Sequence, residues 1–296
     1  MPASLVQRLA VIGCGLMGGS FALALRERGL VTQVAGYSTR SATRERALAL
    51  GVIDVACDSV AQAVAGADVV LVAVPVQATE LTLRAMAPHL GAHALVMDVG
   101  STKCDVIAAA QVTLGLALPR FVPAHPITGK EVAGVEHAEA GLYVHRQVFL
   151  TPTPETDVSY TARAQALWQA VGAQVGLLPA DFHDTTFAAV SHLPHLLAFA
   201  YMNGLSAQSL GSQMVSMGGP GFRDFSRIAA SDPTVWRDIL LANREQVRDQ
   251  LAHTRQALAE LEQALQDGDG ERLSQLIEAA RQARSGWRLA ADPTEG

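Results

Sequence analysis

The chain has 296 residues, enough for about two domains and a substantial core. Hydrophobic residues make up 49% and charged residues 17%, which excludes an intrinsically disordered chain. The formal charge is 22 − 28 = −6, which argues against a nucleic-acid partner; twenty of the 22 cations are Arg, leaving only Lys103 and Lys130.

Residues 1–8 lead into a strand-like run without the apolar stretch of a signal peptide. From there to about Pro179, short apolar strands alternate with helical segments. Strands are expected at 9–12, 33–37, 68–74, 94–98, 120–123, 147–151 and 174–178, rich in Val, Ile, Leu and Ala and bounded by Gly or Pro. Helices are expected at 16–28, 42–50, 60–65, 77–87, 103–114, 131–140 and 158–170. This alternation predicts a mostly parallel sheet covered on both faces. After Pro179 the strand signals stop. Residues 182–205, 222–230, 233–266 and 271–287 read as helix, with Asp232-Pro233 as a helix start and residues 267–270 as a turn. Leu240, Val247, Leu251, Leu258, Leu261 and Leu265 form one apolar stripe. The expected domains are 1–179, α/β, and 180–296, all-α, with a frayed tail from about Ala291.

Residues 185–222 carry no charge, but His192, Pro194, His195 and several Ser and Gly make them a poor membrane span. They read as helix buried in protein, between subunits included. Cys14, Cys57 and Cys104 form no CxxC pair, which fits a reducing, cytoplasmic compartment. Cys104 reads as a small buried hydrophobe rather than a redox thiol, and Cys14 as a tolerated side chain in the glycine loop.

Gly13-Cys14-Gly15-Leu16-Met17-Gly18 follows the first strand and opens the first helix, the context that a dinucleotide-binding G-x-G-x-x-G requires. Gly13 permits the tight turn, Gly15 the approach of a pyrophosphate, and Gly18 close helix–strand packing. The free N–H groups of the helix start then face the phosphates. The second strand ends in Tyr37-Ser38-Thr39-Arg40, where an NAD-specific site usually has an acid. With Ser38 there and Arg40 close by, repulsion toward a 2′-phosphate is removed and a cation is offered to it. The expectation is NADP as the preferred cofactor and NAD as the second; the alternative is that Arg40 only caps a solvated loop. Expected cofactor contacts are Gly13, Gly15, Leu16, Met17, Gly18, Ser38, Thr39, Arg40, Val74 and Pro75.

Two further motifs follow strands at their carboxyl ends, where ligands bind in such sheets. They are Asp98-Val99-Gly100-Ser101-Thr102-Lys103 and His125-Pro126-Ile127-Thr128-Gly129-Lys130-Glu131. The helical part adds Ser191-His192-Leu193-Pro194-His195, then Asp224-Phe225-Ser226-Arg227-Ile228-Ala229 and Ser231-Asp232-Pro233, with Trp236 beyond. On these motifs together the sequence resembles the prephenate/arogenate (cyclohexadienyl) dehydrogenases of tyrosine biosynthesis, from about Leu9 to Asn243.

The resemblance implies a Rossmann-type dinucleotide-binding domain followed by an all-α dimerisation domain, a homodimer, and a site between the domains. It implies oxidative decarboxylation of prephenate: C4 hydride to the nicotinamide, loss of the hydroxyl proton, and departure of CO2 as the ring aromatises, with no metal required. By resemblance His125 is the base on the substrate hydroxyl, and Ser101 shares that hydroxyl or positions the nicotinamide. Arg227 anchors a substrate carboxylate, for which a planar fork is suited. His195 lines the pocket; His192 lines it or packs. Trp236 and Asp224 are candidates near the pocket or the subunit contact. The alternatives are an ion pair of Arg227 with Asp224 or Asp232, a loop role for His125, and core roles for His195 and His192.

Lys130 stands where relatives often carry Ser or Thr, and Pro220 where many carry Gly. A cation near the substrate side chain favours a keto acid over an amino acid, so Lys130 is expected to help select prephenate over arogenate. No residues are left for a fused chorismate mutase or a C-terminal regulatory domain, so tyrosine inhibition would act at or near the active site. Competing readings are an arogenate-preferring enzyme, another NADP oxidoreductase of the β-hydroxyacid dehydrogenase type, and a nucleotide sensor without catalysis. The second usually relies on a lysine in the helical domain, and this chain has none there.

Overall fold

The computed structural model describes residues 5–287 except Glu131. Strands β1 (Val6–Ile12), β2 (Val31–Tyr37), β3 (Val55–Ala56), β4 (Val69–Val72), β5 (Leu95–Asp98) and β6 (Phe121–Val122) form one sheet in the order β3-β2-β1-β4-β5-β6. All its pairings are parallel. The order reverses between β1 and β4, and crossover connections at such a point open a crevice above the carboxyl ends of the strands.

Helices α1 (Leu16–Glu27), α2 (Ser41–Ala49), α3 (Val60–Val64), α4 (Thr79–Met86), α5 (Cys104–Thr113) and α6 (Val158–Ala170) accompany the sheet. Its strands alternate between two cores. Leu9, Val11, Val69, Leu71, Leu95 and Met97 pack on the side of α1 and α6, against Phe21, Leu25, Leu167 and Trp168. Ala10, Ile12, Val70, Val72 and Val96 pack on the other side, against Leu83, Met86, Val106 and Ala110. Both faces are buried, which is why these strands read as continuous apolar runs.

A second sheet sits beside the first. It joins β7 (Ala124–Pro126), antiparallel to β8 (Gln147–Leu150), which runs parallel to β9 (Gln174–Leu177). The strand expected at 120–123 is β6; β7, which was not expected, begins directly after it in the second sheet, the two parted at Pro123, which has no N–H to continue a ladder. The helix expected at 131–140 is absent from its described residues. Gly134 stands at φ +112, and only a short turn, Val135–His137, follows. The two-residue β3 carried no strand signal at all.

Helices then follow: α7 (Ala180–Phe187), α8 (Leu193–Ser206), α9 (Gly211–Ser216), α10 (Pro220–Ser226), α11 (Pro233–Ala242), α12 (Arg244–Gln266) and α13 (Gly270–Ser285). Two expected helices are interrupted. Between α7 and α8 lies a π-helical turn, Ala188–His192, in which Leu193 N–H reaches Ala188 O. Pro194 explains the widening, since it has no amide to give to the preceding turn. The helix expected at 233–266 breaks at Asn243, which separates α11 from α12. The apolar stripe is only partly used within the chain: Val247 is buried, whereas Leu258 and Leu265 are exposed. Tyr201, Leu210, Met217, Phe225 and Leu241 are exposed on the same helical part. No described helix is long and apolar enough to cross a membrane. The tail expected from Ala291 lies outside the described residues.

Candidate active site

The glycine loop after β1 is shaped by contacts that only glycine allows. Gly13 has φ +103, and a Cβ on it would stand 2.1 Å from Ala73 O, at the end of β4. A Cβ on Gly18 would meet Gly13 O at 2.3 Å and Val11 Cγ1 at 2.7 Å. Gly15, the residue before α1, meets nothing within 4 Å; a side chain there would enter the open crevice instead. The start of α1 has no side-chain cap, so its N–H groups are left for an anion. Gly15, Leu16, Met17, Val74 and Pro75 line a cavity of about 380 Å³, as do Ser101 and Trp236. A pyrophosphate-bearing dinucleotide fits this donor set: tight turn, open approach, uncapped helix start.

Ser38, Thr39 and Arg40 lie at the end of β2, beyond this cavity's lining. Ser38 is partly committed to the loop, because its Oγ accepts a hydrogen bond from Cys14 N–H at 2.8 Å. Arg40 is exposed at the start of α2. A second cation, missed at the level of sequence, stands with it. Arg44 donates to Ser38 O at 2.6 Å, pairs with Asp58 at 3.2 Å and lies over the Tyr37 ring.

A second cavity, about 530 Å³, adjoins the first. Ser101, Lys130 and Trp236 line both, and the second adds His125, His192, His195 and Arg227. The motifs at the ends of β5 and β7 thus meet those of the helical part in one place. His195 stacks on Trp236, with ring centroids 3.4 Å apart and planes 19° apart. Its Nδ1–H donates to Ser191 O at 2.9 Å, which leaves Nε2 as an acceptor. Burial lowers the His195 pKa, the Ser191 bond raises it, and the charge of Arg227 lowers it further. Asp224 pairs with Arg223, and Asp232 caps α11 through the amides of Thr234 and Val235.

His125 is buried in β7, edge-on to Phe187. Burial, then the charges of His183, Lys103 and His192, push its pKa well below the ordinary 6.5. His192 is also buried, and its Nδ1 receives Asn243 Nδ2–H at 3.1 Å. Burial brings its pKa down to about 4. His192 therefore both packs and borders the cavity.

Behind His125 lies a polar network that the motifs did not disclose. His125 Nδ1 is 2.9 Å from His183 Nε2, and His183 Nδ1 is 2.8 Å from Asp184 Oδ1. The Asp184 carboxylate also receives the amides of Lys103 at 2.8 Å and Cys104 at 2.9 Å, at the start of α5. Burial alone would raise the Asp184 pKa; the bonds from His183 and these amides outweigh it and hold it below the ordinary value. The signal was present as His183-Asp184 in an apolar helical segment, but nothing local ties it to His125. Lys103, the last residue of the motif after β5, is buried against Asp98 and lines neither cavity. Lys130 does line both, with its ammonium 2.9 Å from Glu139 and 3.1 Å from His137 O.

Comparison with known proteins shows the family and the fold. Residues 21–177 match the family described as "Prephenate dehydrogenase, nucleotide-binding domain", and residues 179–279 match "Prephenate dehydrogenase, dimerization domain". A cyclohexadienyl dehydrogenase of Zymomonas mobilis is 34% identical over 94% of this chain and 95% of its own. A prephenate dehydrogenase of A. aeolicus, solved in complex with hydroxyphenyl propionate and NAD+, superposes with a TM-score of 0.88 at 34% identity, covering 94% of this chain and 97% of that one. Synechocystis arogenate dehydrogenase superposes with a TM-score of 0.80 at 27% identity, covering 94% and 99%. The chain belongs to the prephenate dehydrogenase family.

Proposed function

We propose that this chain converts prephenate to 4-hydroxyphenylpyruvate by oxidative decarboxylation, with arogenate as a second substrate. The observation that carries the reading is the junction of the two cavities at Ser101, with His125 in the second and the glycine loop in the first. A nicotinamide dinucleotide in the first cavity accepts the hydride.

The residues then have definite tasks. The glycine loop and the start of α1 hold the pyrophosphate. Ser101, shared by both cavities, positions the substrate hydroxyl against the nicotinamide. His125, kept neutral by burial, takes the hydroxyl proton. Arg227 holds a substrate carboxylate, and the His195–Trp236 stack forms a wall of the pocket. As the C4 hydride leaves and the proton passes to His125, the ring–carboxylate bond breaks and its electron pair completes the aromatic ring, and the proton then returns from His125 to the ring oxygen to give the phenol hydroxyl of the product. α11 borders the crevice and contributes the apolar side chains of Val235, Trp236 and Ile239 to its lining.

NADP is the preferred cofactor in this reading, supported by the missing acid at Ser38 and the cations Arg40 and Arg44. Lys130 biases the side-chain site toward the keto acid, an effect moderated by Glu139. A second copy of the chain covers the exposed apolar surface of the helical part, supported by Tyr201, Met217 and Phe225 and by the match to a dimerization domain. The compartment is the cytoplasm, consistent with three unpaired cysteines. The division falls at Pro179, between β9 and α7.

The deciding experiment follows nicotinamide reduction by absorbance, crossing prephenate and arogenate with NAD and NADP. Reduction with prephenate is expected, fastest with NADP. Silence in all four combinations overturns the reading.

A further inference from the structure

We propose that His183 and Asp184 are positioning residues that fix the tautomer of His125, placing its proton on Nδ1 and leaving Nε2 as the acceptor. The inference deepens the proposed function and rests on His125 as the base.

The argument is a count of donors. Asp184 receives two backbone N–H groups, from Lys103 and Cys104, at 2.8 and 2.9 Å. An amide only donates, so both contacts place acceptor oxygens on Asp184. His183 Nδ1, 2.8 Å from Oδ1, is then the donor of the third bond. A neutral His183 with its proton on Nδ1 has a lone pair on Nε2. The atom facing that lone pair at 2.9 Å is His125 Nδ1, which must carry the proton. His125 Nε2 is thereby left unprotonated, the form a base for a hydroxyl needs. The opposite arrangement requires protons on both nitrogens of His183, a buried imidazolium beside the Lys103 ammonium.

The backbone next to His125 is fixed from the other side by the same group of residues. Ala124 N–H donates to Asp98 Oδ1 at 2.9 Å, and Ala124 O accepts from Lys103 Nζ at 2.8 Å. The chain of contacts from His125 through His183, Asp184, Lys103 and Asp98 returns to Ala124 and closes on itself. His183 lines neither cavity, so it acts only through His125.

The test is nitrogen-15 NMR of histidine-labelled full-length protein at neutral pH without substrate, with the His125 signals assigned from their loss in His125→Asn. A protonated Nδ1 and an unprotonated Nε2 are expected. An Nε2–H tautomer overturns the proposal. This readout does not depend on the reaction, so a failed activity assay and a wrong tautomer are separate results. A second measurement uses kinetics with prephenate. His183→Leu, which offers no acceptor, is expected to lower kcat at least about tenfold, part of what a positioned base supplies, with KM within about twofold. His183→Gln, whose amide oxygen can accept from Nδ1–H, is expected to restore most of kcat. Equal kcat in wild type and His183→Leu overturns the proposal, as does a His183→Gln variant that folds yet gains nothing over His183→Leu.

Discussion

Asp98 and Lys103 form an ion pair with Oδ2 and Nζ 2.5 Å apart, and both side chains are almost wholly buried, at 3% and 0% exposure. The pair stands at the carboxyl end of β5, and each partner also bonds Ala124, one through its amide and one through its carbonyl. One of the chain's two lysines is thus part of the scaffold that holds β7. Removing one member of such a pair strands the other without solvent. Lys103→Met is expected to lower unfolding free energy by about 3–5 kcal/mol, read from urea denaturation. The double variant Lys103→Met, Asp98→Leu is expected to be more stable than the single one. If Lys103→Met unfolds at the wild-type urea concentration, the pair has no such role.

Acid stability follows from His192. Its pKa in the folded protein is about 4, against an ordinary 6.5, because burial disfavours the charged form. Unfolding below pH 6.5 therefore takes up a proton. The stability from keeping this ring neutral is complete above about pH 6.5 and is lost as pH falls toward 4. A shift of this size corresponds to about 3 kcal/mol. Urea midpoints of wild type are expected to fall across that window. His192→Gln is expected to be less stable at neutral pH but to show a shallower decline. An identical slope in the variant removes His192 as a source.

The proposed preference for NADP rests on the end of β2. Arg40→Asp replaces a cation by the acid that suits a free ribose. The ratio of kcat/KM for NADP to that for NAD is expected to drop by about tenfold or more, the worth of a hydrogen bond to a charged group. Arg44→Ala is expected to lower it less, because Arg44 already serves Ser38 O and Asp58. A ratio unchanged in Arg40→Asp removes Arg40 from the phosphate site.

Substrate choice is tested at Lys130. Its ammonium is shared with Glu139, so its field at the pocket is partly cancelled. Lys130→Ala is expected to move the prephenate-to-arogenate ratio of kcat/KM toward arogenate by about threefold, less than 1 kcal/mol, as for a partly exposed pair. Glu139→Gln is expected to move it the other way. Equal ratios in all three proteins exclude Lys130 as a selector.

Much of the fold was legible because its signals are local. The glycine spacing after β1 encodes a turn within six residues, and the positive φ of Gly13 is a local requirement, although its closest neighbour, Ala73 O, comes from β4. Apolar runs at parallel-sheet length, and their end after residue 177, were readable for the same reason. What failed were segments whose local pattern was overruled. The expected helix at 131–140 gives way at Gly134; a further strand, β7, starts in the second sheet just past Pro123; and the helix at 233–266 stops at Asn243, whose side chain is taken by Asp184 O and His192.

The sequence by itself determined a nucleotide-binding first part, a helical second part, and the motifs that line the two cavities. It brought His125, Ser101, His195 and Arg227 forward as candidates because each lies in a recognisable motif. Only the tertiary structure decided what stands behind His125. His183 is 58 positions away, and Asp184 joins α7 to α5 across 80 and more. Contacts of that separation leave no periodicity or spacing in the chain; they exist only once β7, α5 and α7 pack together. The same packing sent the two lysines to different ends, one into a buried pair and the other to the rim of the pocket.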